Sequence, residues 1–274
     1  MSHIPDIVFM VLGPLAVGGA FLLSLPVLET AGLSFYRTNG LVFLGVGLIG
    51  VAISKPPASG LATEAFWLTP PILPFLFFLL ILGIYNLRLW FRHPHPSRSL
   101  LYAASVAGGV ALWAMTDAFP ETGMAGTDIA RMILQWTSLI LSALLMGAGV
   151  LAMLLGHRYL TQPSLSMVPL DRLTRLFMQM LCTQAGMAGA NLIALAHTAR
   201  LRQALLLDNI EGVYLWARML VGLVTPLVLA WMIRQTVAER ATMSATGLLY
   251  IAMLMVLIGE IFSRFFLLTG AAFL

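Results

Sequence analysis

The chain has 274 residues and a mass of 29.7 kDa; 60% of its residues are hydrophobic and only 9% are charged, too few to wet the surface of a globule of this size. That composition excludes a water-soluble enzyme and a disordered chain, and a single cysteine, Cys182, excludes a disulfide scaffold. The net charge of +4 rests on basic residues placed mostly at the ends of apolar segments, the habit of a multispan membrane protein and not of a nucleic-acid-binding patch.

About 20 mostly apolar residues are needed for a helix to cross the hydrocarbon core. Eight stretches qualify: roughly 6–27, 37–54, 70–90, 99–117, 132–156, 174–197, 212–233 and 244–268. They predict an all-α integral membrane protein, a single domain over residues 1–274 built as a bundle of about eight transmembrane helices. No internal repeat of the kind found in many secondary transporters is visible.

The first span opens without a positive n-region or a following small-residue cleavage site, so it reads as a retained span and not as a signal peptide. The second is short and glycine-rich, with Gly40, Gly45, Gly47 and Gly50. After the third comes FRHPHPSR, carrying His93 and His95. The fifth begins with Gln135 and Trp136, places Ser142, Gly149 and Gly156 at seven-residue spacing as packing positions, and ends at His157. The following stretch, GHRYLTQPSLSMVPLDR, looks like a specific signature to which no chemistry attaches. The sixth offers small residues Cys182, Gly186 and Ala190, beside Ala185 and Gly189, for close helix contact. The seventh carries Arg218, with Glu211 at its mouth, and the eighth carries Glu260 and Arg264 in GEIFSRFF.

The basic residues of the connections set the orientation. One side holds Arg37, Arg88, Arg92, Arg98, Arg158, Arg172, Arg175, Arg234 and Arg240; the other holds Lys55, Arg131, Arg200 and Arg202. Nine against four assigns the first set to the cytoplasm, with both termini on the outer, periplasmic side of an inner (cytoplasmic) membrane.

A charge near the bilayer centre costs at least about 2.5–3.5 kcal/mol on insertion scales, so intramembrane ionisable residues are the first functional candidates. At 1.5 Å per residue, Arg218 lies about 9–10 Å, Arg264 about 6 Å, Glu260 about 12 Å and Asn191 about 9 Å from the outer surface. Gln135, Trp136 and His197 sit close beneath that surface, whereas Gln179 and Gln184 fall in the inner half. The structural reading of this gathering is an interhelical ion pair that fixes packing. The functional reading is a pocket for an amphipathic headgroup: Arg218, Arg264, Asn191, Gln135, Trp136 and His197 bind it, and Glu260 is the catalytic proton acceptor. A quinone, menaquinone or ubiquinone, suits such a pocket; a bound membrane lipid is the other occupant. Haem b is disfavoured, because His93, His95 and His157 sit at helix ends and His197 lies alone on the opposite side. No metal site is expected.

Two spans carry a family likeness. The first, DIVFMVLGPLAVGGAFLL, and the last, LMVLIGEIFSRFFLL, resemble the opening and closing helices of the membrane anchor subunits of the dimethyl sulfoxide reductase and polysulfide reductase (NrfD-like) class, the last through a Gly-Glu pair followed four residues on by Arg and aromatics. The family's histidine-leucine-glycine pattern after the second span is absent, the chain reading ISKPPASGL there, and the third span has no acidic residue. The resemblance implies a membrane-anchoring, quinone-handling subunit exchanging electrons with an iron–sulfur or cytochrome partner. The alternatives are a non-catalytic structural subunit of a respiratory or photosynthetic assembly binding lipid or pigment, and a small-solute transporter.

Overall fold

Long apolar runs become helices because a backbone in lipid satisfies its polar groups only within its own segment or in a closed barrel. The structure, a computed structural model, describes residues 4–54, 72–91, 95–116, 128–162, 165–194, 199–208 and 210–268. Its helices are α1 (Ile4–Leu23), α2 (Leu33–Ile53), α3 (Ile72–Phe91), α4 (Arg98–Thr116), α5 (Asp128–Thr161), α6 (Val168–Ala194), a short α7 (Ala199–Leu205), α8 (Ile210–Ala238) and α9 (Thr242–Leu268). A 3₁₀ turn, Pro26–Ala31, links α1 to α2. There is no strand among the described residues.

The eight predicted spans correspond to α1–α6, α8 and α9, while α7 was not anticipated. Seven of these helices are long and apolar enough to cross a membrane by themselves. The one below that standard is α6: it is 27 residues long, but Gln179, Gln184 and Asn191 dilute its apolar character. It nevertheless lies inside the bundle, with Phe177 against α5 and Gln184 reaching α9.

Cross-helix contacts fix the directions. Gly19 of α1 meets Phe43 of α2, and Gly50 meets Phe9 and Leu12, so the two run antiparallel. Along α5, Ser142, Gly149 and Gly156 meet Glu260, Met253 and Thr246 of α9 in reverse order. Gly222 of α8 packs on Gly259 of α9, and the short connection between Ala238 and Thr242 makes this pair antiparallel as well. The spans therefore alternate, and the described chain ends, Ile4 and Leu268, lie at one end of the bundle. The other end, around Gly32 and Thr161, carries Arg37, Arg98, Arg158, Arg175 and Arg234. There Arg37 donates to the Leu89 carbonyl at 3.2 and 3.1 Å, with its guanidinium 5.2 Å from the Trp90 ring centre.

The most buried layer runs along α1 and α5. A Cβ on Gly18 would stand 1.9 Å from the Ala143 carbonyl oxygen, and one on Gly147 would stand 2.6 Å from the Gly18 backbone, so only glycine permits this approach. Pro14 is accommodated within α1 without ending it. In α8, Pro226 has no N–H to give the preceding turn, and the helix widens into a π-helical stretch, Leu220–Val224, just before it. The Thr225 hydroxyl donates to the Leu220 carbonyl at 2.9 Å across that stretch.

Candidate functional site

The polar residues of the closing helices meet at one level. Glu260 stands about 12 Å from Leu268 along α9, Arg218 about 12 Å from Ile210 along α8, and Gln184 about 15 Å from the end of α6. The Glu260 carboxylate is the hub. Its Oε1 accepts from Gln184 Nε2 at 2.8 Å and lies 3.3 Å from Arg218 Nη2. Its Oε2 accepts from the Ser142 hydroxyl at 2.5 Å and from Arg264 Nη2 at 2.8 Å. Arg264 Nη2 also donates to Ser142 Oγ at 2.6 Å. Four helices, α5, α6, α8 and α9, are thereby tied to one carboxylate.

Glu260 and Arg264 share a face because they are four residues apart on α9. Arg218 arrives from the turn before the π-helical stretch, where α8 and α9 come into backbone contact. A Cβ on Gly259 would stand 2.4 Å from the Gly222 Cα and 2.9 Å from Arg218 Nη1. Two glycines thus clear the space in which the Arg218 side chain lies.

The cluster is sealed. Arg218 is 1% exposed, and Glu260 and Arg264 are 0% exposed. A cavity lined by Glu29, Tyr36 and Arg98 lies at the opposite end of the bundle, about 27 Å along α9 from Glu260. The charges do not balance: two guanidiniums face one carboxylate. Nε and Nη1 of both arginines, and Gln184 Oε1, are buried without a hydrogen-bond partner among the described residues. Desolvation of such a group is expensive unless it is paired. Glu260 meets that condition on both oxygens, whereas the arginines meet it only in part.

Of the predicted site residues, Glu260, Arg218 and Arg264 come together as expected. Asn191 is buried two turns along α6 from Gln184. Trp136 is 38% exposed and lies about 9 Å along α5 from Ser142. The side chain of Gln135 and the whole of His197 lie outside the described residues. His95 and His157 are exposed at the arginine-rich end.

Two members were missed. Ser142 was read only as a packing position, and Gln184 was placed in the inner half, away from Glu260. The correction has a simple cause: depth counted from a predicted span end ignores how far a helix slides along its neighbours, and α6 is set so that Gln184 reaches the Glu260 level. The spacing of Ser142, Gly149 and Gly156 did carry a signal, since all three face α9. The small residues of α6 behave otherwise. Gly186 and Gly189 have nothing within 4 Å of a Cβ position, and Cys182 is exposed, so that face makes no close contact among the described residues.

The signature after α5 is a loop fastening. Tyr159 donates to the Ser166 carbonyl, Arg158 Nε to Gln162 Oε1 at 3.2 Å, and Arg175 pairs with Asp171 at 2.7 Å. A second polar seam was not anticipated either: Asn86 of α3 donates to the Gly40 carbonyl of α2 at 3.1 Å, close to the buried Tyr85. No protein-family model matches the chain, and no curated protein matches it.

Proposed function

We propose that this chain is the membrane anchor of a larger electron-transfer complex, and that the Glu260 cluster is the clamp that sets its closing helices. One observation supports the clamp above all: Glu260 is fully buried, and its two oxygens are occupied by groups from four helices. A carboxylate so surrounded is suited to holding helices in register, more than to collecting protons from a substrate. The redox setting draws on the likeness of the first and last spans to anchor subunits of the dimethyl sulfoxide reductase and polysulfide reductase class.

A quinone-handling role is the second reading. It draws on the unpartnered Nε and Nη1 atoms of Arg218 and Arg264, which are donors suited to a quinone carbonyl.

Glu260→Gln separates the two. As a clamp, the variant loses stability in mild detergent and the partner subunits no longer co-purify. As a quinone site, it assembles normally and loses quinol-dependent turnover. The wild-type complex, purified gently, is expected to bring an iron–sulfur or cytochrome partner visible by absorption spectroscopy; purification as a lone chain would refute the anchor role.

A further inference from the structure

At the arginine-rich end, far from the Glu260 cluster, a cavity of about 640 Å³ opens between the 3₁₀ turn, the start of α2 and the start of α4. Leu33, Tyr36 and Pro96 form its apolar wall, and Glu29, His95 and Arg98 its polar rim. Arg98 pairs with Glu29 across it. Gly32, at φ +84, exposes bare backbone to the space, and Arg158 Nη2 lies 3.6 Å from where a Cβ on Gly32 would stand. The lining thus carries one guanidinium, one carboxylate and one histidine, and a second guanidinium, that of Arg158, stands beside Gly32.

The position matters as much as the charge. The cavity sits where helices end, at the end of the bundle where Arg37 stacks on Trp90, the level at which lipid headgroups are expected. An apolar wall under a rim that carries an arginine, with a second arginine beside it, suits a phosphate group attached to a hydrocarbon body. Basic pockets between transmembrane helices recognise anionic headgroups in this way. Arginine supplies the planar, bidentate donor set that phosphate oxygens fit.

We propose that this cavity binds a phosphate-bearing anion, of which the headgroup of an anionic phospholipid is one source, with Arg98 as its donor and the Arg158 guanidinium reaching it past Gly32. Glu29 then acts as a competitor: it holds Arg98 while the site is empty and repels the arriving anion. Opposite signs follow for two neighbouring substitutions. Arg98→Gln removes a donor and weakens binding, whereas Glu29→Gln removes the competitor and strengthens it. Both side chains are well exposed, at 42% and 60%, so neither loss should unfold the chain.

The test is native mass spectrometry of the intact chain, released from mixed vesicles of phosphatidylglycerol and phosphatidylcholine. Wild type should retain phosphatidylglycerol in preference. Arg98→Gln should lower that retention about fivefold, and Glu29→Gln should raise it by a similar factor. Equal retention of the two lipids overturns a lipid source. An accompanying titration with inorganic phosphate, read by the thermal stability of wild type against Arg98→Gln, detects free phosphate at the same donors. If neither probe discriminates, or if the two substitutions shift binding in the same direction, the proposal fails and the Arg98–Glu29 pair is a structural contact only.

Discussion

Removing the Glu260 carboxylate would leave two guanidiniums in the membrane interior with only Ser142 and Gln184 beside them. Breaking a buried ion pair from one side costs about 3–5 kcal/mol, because a charge remains unpaired. Glu260→Ala should therefore lower resistance to unfolding in sodium dodecyl sulfate by an amount in that range. Replacing all three charges together, as Glu260→Met with Arg218→Leu and Arg264→Met, should recover most of the loss, since no desolvated charge is left. If the triple variant is as unstable as the single one, shape and not charge governs the site. The charged members were legible in the sequence because Glu and Arg inside an apolar run are rare. Ser142 was not, because serine does not stand out in such a run, and Gln184 stood out but at the wrong level, because only the packed bundle says what it faces.

Between helices, the decisive contacts are made by residues with no side chain. A methyl group on Gly259 would fall on the Gly222 backbone and against Arg218, so Gly259→Ala should push α8 from α9 and cost about 1–3 kcal/mol. Gly186→Ala, on the open face of α6, meets nothing and should be neutral or stabilising by about 0.5–1 kcal/mol through helix propensity. Thermal unfolding of the two variants in the same detergent checks the contrast. Equal effects would mean that the α8–α9 crossing is not tight. Element type and existence were legible because hydropathy over twenty residues is a strong signal. The π-helical stretch before Pro226 leaves no mark in hydropathy, and the mutual sliding of α5, α6 and α9 is written in no single helix.

At the scale of the molecule, alternating spans bring both described chain ends to one face and gather arginines at the other. Single cysteines report this directly, in a Cys182→Ala background. His95→Cys and Arg202→Cys, both at exposed positions, should react with a membrane-impermeant maleimide from opposite sides of the membrane. The imbalance of basic residues predicts that position 95 is reached only from the cytoplasm. Labelling of both positions from one side would break the alternating order.

The cluster also sets a problem of timing during synthesis. Ser142 is made 118 positions before the carboxylate it serves, and Arg218 about forty before it. At about 5–20 residues per second the ribosome leaves that arginine waiting for some seconds. Throughout that interval α8 carries a lone cation that lipid resists. The nascent segment must therefore linger at the insertion machinery until α9 emerges, and the two enter the bilayer as a couple.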